Sequence, residues 1–210
     1  MIIQIRGTSG SGKTTLMRHF LEASNAKPFL RAAPNARGVR KTRVNKGEYL
    51  GYPLFILGDY TVDSGGCDGI PDIASVIKLV ARYGEPSHAA NGKHTAIVMF
   101  EGLLLAHSWG AMGEYAHEKF GKRYINAFLD TPQELCLKRV LKRRANRGQE
   151  TPADRLEKIA HNVEADYHRV ELCHTRVTAR GGYLVDIPHE AAIPFMENYI
   201  ARWVDRQKRK

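Results

Sequence analysis

The chain has 210 residues, of which 43% are hydrophobic, and this composition is typical of one globular domain with an ordinary core. No apolar run is long enough to cross a membrane, and the first apolar segment is too short for a signal peptide, so membrane-spanning and secreted proteins are disfavoured. The formal net charge of +10 fits either an enzyme that binds phosphate through arginines or a protein with a polyanionic partner such as nucleic acid.

The chain opens with a predicted strand, a glycine-rich turn and a helix. Residues 1–6 (MIIQIR) predict a short buried strand, and residues 13–23 (KTTLMRHFLEA) predict a helix. The turn between them matches G-x-x-x-x-G-K-[ST], the P-loop pattern, in which backbone N–H groups and a helix N-terminus bind phosphate. Lys13 is predicted to reach the β- and γ-phosphates of ATP, and the Thr14 hydroxyl to bind Mg²⁺. A flexible glycine–serine turn is the disfavoured alternative. The predicted nucleotide-binding residues of this turn are Gly7, Thr8, Ser9, Gly10, Ser11, Gly12, Lys13, Thr14 and Thr15.

A basic stretch follows the first helix. Residues 27–46 contain seven lysines and arginines and no acid, and Pro28, Pro34 and Gly38 argue against a long helix. We therefore predict a loop or short hairpin that projects from the domain, within an insertion over residues 27–53. Solvation of the charges is the simpler interpretation, but the position next to the P-loop helix favours contact with a polyanion. The predicted contacts are Arg37, Arg40, Lys41 and Arg43.

Two acids follow predicted buried strands. Asp59 lies just beyond the apolar run 54–57, and Glu101 ends the run 95–100. Ligands of open α/β sheets bind at the carboxyl ends of the strands, so both acids are predicted to lie at the site. A strand that ends in an acid, downstream of a P-loop, indicates that Glu101 helps to hold Mg²⁺. A glycine-rich turn with Asp63 and Asp68 follows Asp59 and is predicted to approach the ligand.

The second half of the chain predicts further strands at 124–129 and 183–187 and helices at 71–83, 133–146, from 151 onward and 194–206. Thr151 is predicted to cap the long helix that follows it. Five short apolar strands separated by helices predict a single α/β domain over residues 1–210, with a five-stranded parallel sheet flanked by helices. Arg139 and Arg143 are four residues apart, so they share one helix face.

These elements resemble the small P-loop kinases of the nucleoside monophosphate kinase-like group, which includes polynucleotide kinases. The resemblance spans nearly the whole chain: the P-loop, the acids after the second and third strands, and the arginine-rich helix after FLDTP at 128–132. In that group the arginine-rich region forms a mobile lid over the phosphates. The resemblance therefore implies a lid at about residues 139–151, with Arg139, Arg143 and Arg147 facing the nucleotide.

A narrower resemblance concerns phage-encoded 5-hydroxymethyluracil DNA kinases, which phosphorylate a base hydroxymethyl group within DNA during thymine hypermodification. It rests on the segments MIIQIRGTSGSGKTT, LGDYTVDSGGCDGI, FEGLLLA and FLDTP. It implies an ATP- and Mg²⁺-dependent phosphotransferase with an alcohol acceptor, modified DNA as substrate and partner, and the host cytoplasm as location. No membrane partner is expected.

A hydroxyl acceptor calls for a base, and Asp59 is the first choice, from its place at a strand end and by analogy with polynucleotide kinases. Asp63 and Asp68 are the alternatives, and Asp68 is also placed on the acceptor side. Lys13, Asp59 and Arg143 are thus the predicted catalytic residues. Three other functions stay open: a kinase for free nucleosides or nucleotides, a polynucleotide 5′-hydroxyl kinase, and a P-loop NTPase switch without an acceptor. The sequence does not determine the oligomeric state.

Overall fold

The structure is a computed structural model that describes residues 1–31, 42–61, 66–70, 72–85, 96–149 and 151–209. The strands are β1 (Ile2–Arg6), β2 (Lys27–Arg31), β3 (Thr42–Tyr49), β4 (Tyr52–Leu57), β5 (Ile97–Glu101), β6 (Tyr124–Asp130) and β7 (Leu184–Pro188). The α-helices are α1 (Lys13–Ala23), α2 (Ile73–Gly84), α3 (Leu103–Ala106), α4 (Tyr115–Phe120), α5 (Gln133–Ala145), α6 (Ala153–Ala179) and α7 (Ala192–Lys208).

The strands form one sheet in the order β2-β3-β4-β5-β1-β6-β7. Five neighbouring strands pair in parallel, in the order β4, β5, β1, β6 and β7, and they are the five that the apolar runs predict. The predicted total of five is wrong, because β2 and β3 add two antiparallel strands at the β4 edge. The described parts of the basic insertion, Lys27–Arg31 and Thr42–Tyr49, therefore form a hairpin that extends the sheet. Val44 explains why: it lies opposite Leu57 in β4 and is fully buried.

Two hydrophobic cores lie on opposite faces of the sheet. Side chains of α2, α4 and the second half of α6 pack on one face, and those of α1 and α7 pack on the other. β1 contributes to both cores and is completely buried, including the polar side chains of Gln4 and Arg6. None of the helices in the described ranges combines the length and apolarity needed to span a bilayer.

Two helix starts differ from the predictions. α2 begins at Ile73, and the Asp72 side chain caps it by accepting a hydrogen bond from the Ser75 N–H at 2.6 Å. The long helix α6 begins at Ala153, with Pro152 at the cap position and no side-chain cap bond. The prediction that Thr151 caps this helix is therefore wrong. Pro152 occupies the cap position instead of the first helical position, so the helix begins one residue later than predicted.

Candidate active site

A cleft of about 680 Å³ opens at the carboxyl edge of the parallel strands. The P-loop forms its floor, and α5 and residues 189–194, which include the start of α7, form two of its walls. Asp68, Glu101 and Leu103 line it on the β5 side. The cleft therefore lies where open α/β sheets bind ligands, and it brings together residues from five separate parts of the sequence.

The P-loop owes its shape to glycines with positive φ. Gly10 has φ of 85°, and a Cβ there would lie 2.3 Å from the carbonyl oxygen of Cys136 in α5, so only glycine fits. Gly12 has φ of 106° and directly precedes α1. Thr131, in the turn after β6, donates from its hydroxyl to the Ser11 carbonyl oxygen at 2.9 Å. The loop is thus fixed from the β6 side, with the N-terminus of α1 directed at the cleft.

Lys13 lies at the cleft floor and is 7% exposed. Its Nζ donates to the carbonyl oxygens of Gly7 at 2.7 Å and Thr8 at 2.9 Å. Burial lowers the pKa of this ammonium, and the nearby negative charge of Glu101 works against that shift. The lysine is therefore held ready beside the loop, and phosphate oxygens are stronger acceptors than the carbonyls that now hold it.

Thr14 and Glu101 meet on the β5 side of the loop. The Thr14 hydroxyl donates to Glu101 Oε1 at 3.2 Å. Burial raises the pKa of Glu101 to about 7; the charge of Lys13 lowers it, and that of Asp68 raises it further. Asp68 itself is held by the Leu103 N–H, which donates to its Oδ1 at 2.8 Å. These hard oxygen donors fit Mg²⁺, which proteins hold through one or two carboxylates together with substrate phosphates.

Asp59 lies two residues after the end of β4 and is 3% exposed. Its Oδ1 accepts hydrogen bonds from the N–H of Thr61 at 3.0 Å and the hydroxyl of Thr61 at 2.7 Å. Its Oδ2 is buried and has no hydrogen-bond partner among the described residues. Asp68 belongs to the cleft lining, whereas Asp59 is not among the described lining residues. Asp63 lies outside the described residues.

Two of the three predicted lid arginines already touch the P-loop. Arg139 donates to the carbonyl oxygens of Gly10 at 3.3 Å and Ser11 at 3.2 Å, and Arg143 donates to Ser9 Oγ at 3.3 Å. Both line the cleft. Arg147 lies in the exposed turn that follows α5, and it is not among the described lining residues. The helix spacing thus correctly pairs Arg139 with Arg143, while Arg147 lies one turn further from the loop.

The predicted acceptor residues are only partly visible. Arg37, Arg40 and Lys41 lie outside the described residues. Arg43 lies on β3, where its carbonyl oxygen accepts from the Gly58 N–H at 2.7 Å, and its Nε is buried. Arg43 therefore lies beside the carboxyl end of β4, at the same end of the sheet as Asp59 and Glu101.

Sequence patterns missed Arg6, the last residue of β1. It is fully buried, and its Nη1 donates to the carbonyl oxygens of Leu105, Ala106 and Ser108 at 2.8, 3.1 and 3.2 Å. Its Nε donates to Asn126 Oδ1 at 2.9 Å. Arg6 thereby fixes the segment after β5, whose first helical residue lines the cleft. The one charged residue in a largely hydrophobic strand could have indicated a buried arginine. Its hydrogen-bond partners are distant in sequence, so the residues around it did not identify them.

A parallel sheet with a phosphate-binding glycine loop after its first strand, a buried lysine and a carboxylate at the end of an adjacent strand defines the class of P-loop nucleotide-binding proteins. No family model matches the chain. It is, however, similar to two curated proteins named "5-hmdU DNA kinase". The one from Pseudomonas phage PaMx11 is 29% identical over 191 residues, and the one from Pseudomonas phage M6 is 31% identical over 200 residues. Each match covers 91% of this chain and 92% of the relative. The chain belongs to the 5-hmdU DNA kinase family.

Solved structures show more distant likeness. The structure of deoxyadenosine kinase from M. mycoides with bound dCTP matches with 14% identity and a TM-score of 0.39, over 96% of this chain and 100% of that one. A second structure of this enzyme, with the products dCMP and dCDP, matches with 13% identity and a TM-score of 0.41, over 98% and 99%. Likeness of this extent carries no weight for the function of the chain.

Proposed function

We propose that the protein is an ATP-dependent kinase that transfers the γ-phosphoryl group to the hydroxymethyl group of 5-hydroxymethyluracil in DNA. The observation that carries this proposal is the 31% identity to a 5-hmdU DNA kinase over 91% of this chain and 92% of the relative. The cleft supports it, because it combines a phosphate loop, oxygen donors that fit Mg²⁺ and two arginines on one wall.

The donor side of the reaction is assigned to the P-loop and α5. The loop N–H groups and Lys13 bind the β- and γ-phosphates, and Lys13 exchanges the carbonyls of Gly7 and Thr8 for phosphate oxygens. Arg139 and Arg143 make the same kind of exchange, because guanidinium binds phosphate oxygens more strongly than it binds neutral carbonyl or hydroxyl oxygens. Their charge then lies beside the group being transferred and stabilises its transition state.

The metal side is assigned to Thr14 and Glu101, with Asp68 beside them. Mg²⁺ bound there with the nucleotide supplies charge neutralisation for the phosphates. Burial in the free protein favours the protonated form of Glu101, and the charge of Lys13 works against that shift. A bound Mg²⁺ would favour the ionised carboxylate, so binding of the metal–nucleotide complex would be coupled to loss of the Glu101 proton.

Transfer itself forms a bond between the hydroxymethyl oxygen and the γ-phosphorus and breaks the bond from that phosphorus to the bridging oxygen of the ATP β-phosphate. The hydroxymethyl proton is assigned to Asp59, whose buried Oδ2 has no donor in the described residues. Asp68, which lines the cleft, is the alternative base. In either case the carboxylate accepts one proton and ADP leaves.

A kinase for free nucleosides is the second candidate, because the cleft volume of about 680 Å³ also suits a small acceptor. The test is incubation with γ-labelled ATP and an acceptor panel: duplex and single-stranded DNA with and without 5-hydroxymethyluracil, 5′-hydroxyl DNA, and free nucleosides. We expect label only in DNA that contains 5-hydroxymethyluracil. Label in nucleosides alone supports the second candidate, and ATP hydrolysis without transfer supports an NTPase.

A further inference from the structure

Two lysines face each other at the outer edge of the sheet. Lys27 in β2 lies directly opposite Lys46 in β3, and both side chains are exposed. Like charges in a directly opposed cross-strand pair destabilise a hairpin, so this pairing costs stability unless an anion lies between them. Lys46 is also opposite Phe55 of β4, which packs in the core on the α2 face. The lysine pair therefore lies on the α2 face of the hairpin.

An aromatic side chain is held beside this pair. Phe29 lies at a bulge in β2, where the register shifts between Pro28 and Leu30. Its ring lies 6.1 Å from that of Phe55 and 5.8 Å from that of Tyr83, yet its side chain is 49% exposed. Phe29 is two residues from Lys27, so strand alternation places its ring on the same α2 face as the lysine pair.

The rings beneath Phe29 are rigid. Phe55 and Tyr83 stack with centroids 4.6 Å apart, and both residues are only 4% exposed. Phe29 is thus the exposed end of a three-ring cluster that is otherwise buried. A half-exposed ring on a fixed base loses little conformational entropy when a ligand stacks on it.

The lysine pair is close enough to the cleft for one DNA segment to reach both. Lys27 pairs with Lys46, Lys46 with Phe55, and Phe55 with Val98, which lies three residues before Glu101. Three strand spacings and three residues along a strand correspond to about 14 Å and about 10 Å, or about 17 Å in total. At 3.4 Å per nucleotide along one strand, this is about five nucleotides.

We infer that this face of the hairpin binds DNA next to the modified base, with the backbone phosphates at Lys27 and Lys46 and an unstacked base on the ring of Phe29. The inference rests on the proposed function, since it takes DNA as the substrate. Basic side chains beside an exposed aromatic ring are the combination with which proteins bind unstacked strands. Pairing with a second copy through the β2 edge is the other use of such a surface, but the like charges on this edge of a +10 chain oppose it.

The ring is tested by binding of single-stranded DNA with one 5-hydroxymethyluracil to wild type, Phe29→Leu and Phe29→Tyr. Leucine keeps the packing against Phe55 and Tyr83 and loses the stacking face, so we expect about 5- to 150-fold weaker binding. Tyrosine should bind within about twofold of wild type. Leu172→Ala, which truncates an exposed apolar side chain on α6, is the matched control and should not change binding. Wild-type affinity of Phe29→Leu overturns the stacking assignment.

The lysines are tested by the salt dependence of the same binding. Lys27→Ala with Lys46→Ala should lower the slope of log affinity against log salt by about 1.4, since each lost contact with a single strand removes about 0.7. Lys208→Ala with Arg209→Ala removes the same charge from the end of α7 and should lower it less. Equal salt slopes for the two double variants overturn the inference. So does a wild-type dimer that only the hairpin variants abolish, if those variants still bind DNA.

The proposed function has a separate readout. ATP binding should be the same in wild type and in all hairpin variants, because none of the altered residues lines the cleft. A wild type that binds and phosphorylates no DNA overturns the proposed function, and the inference with it, before any variant is made. A wild type that phosphorylates DNA, together with hairpin variants that bind it equally well, overturns the inference alone.

Discussion

Replacing Glu101 with glutamine is expected to stabilise the free protein while it abolishes phosphoryl transfer. Glutamine keeps the side-chain shape and an oxygen that accepts from Thr14, but it cannot carry the buried negative charge. Burial raises the pKa of Glu101 from 4.5 to about 7. At about 1.4 kcal/mol per pH unit, this interval corresponds to about 3 kcal/mol that the fold loses when Glu101 ionises. We therefore expect Glu101→Gln to be more stable than wild type by about 3 kcal/mol at pH 8.

The pH dependence of this gain follows from proton binding. Between pH 4.5 and 7 the folded wild type holds a Glu101 proton that the unfolded chain has lost, so its free energy of unfolding falls as pH rises. The Glu101→Gln protein lacks this contribution. The difference between the two proteins should therefore be absent below about pH 4.5, grow through the interval and reach its full size above pH 7.

The assay is urea unfolding of wild type and Glu101→Gln at a series of pH values, with chelator present and nucleotide absent, with the free energy extrapolated to water. Glu118→Gln, which changes an exposed glutamate on α4, is the control and should follow wild type. Transfer is measured on the same preparations with Mg²⁺ and ATP. A variant that is no more stable than wild type at pH 8, or that transfers phosphate at the wild-type rate, refutes the assignment of a buried, metal-binding carboxylate.

Two further predictions concern the phosphate loop and the base. Lys13→Ala should lose transfer and keep its fold. The free energy of unfolding should change by less than about 2 kcal/mol, because the loss of two hydrogen bonds from the ammonium is offset by removal of its cost of burial. Wild-type turnover by a folded Lys13→Ala protein, judged by circular dichroism, would contradict its role. Asp59→Asn should lose transfer and bind ATP with wild-type affinity in a titration. An active Asp59→Asn beside an inactive Asp68→Asn would instead assign the proton to Asp68.

The central part of the fold could be predicted from the sequence because its signals are local. β4 and β5 are nearly continuous apolar runs, and burial on both faces of the sheet produces that pattern. The P-loop and Glu101 were predictable because phosphate binding requires a fixed spacing of glycine, lysine and hydroxyl. The structure places Lys13, Thr14 and Glu101 together, as the pattern indicates.

The rest depends on contacts that are distant in sequence. β3 buries Val44 but also carries Arg43, Lys46 and Glu48, so its residues do not indicate a strand until β4 is beside it. Arg6 looks like a charge at a strand end, and only the carbonyl groups that follow β5 explain its burial. The raised pKa of Glu101 likewise depends on how deeply the completed sheet and loops enclose it.

The central claim, transfer to a base within DNA, is tested most directly by locating the phosphate in the product. DNA containing 5-hydroxymethyluracil is incubated with the protein, Mg²⁺ and ATP. It is then digested to nucleotides with nucleases, with no phosphatase step, and analysed by mass spectrometry. The account predicts a phosphate ester on the 5-hydroxymethyl group, and none when Lys13→Ala replaces wild type. Phosphate found only at 5′ ends of the DNA, or only on free nucleosides, would contradict it.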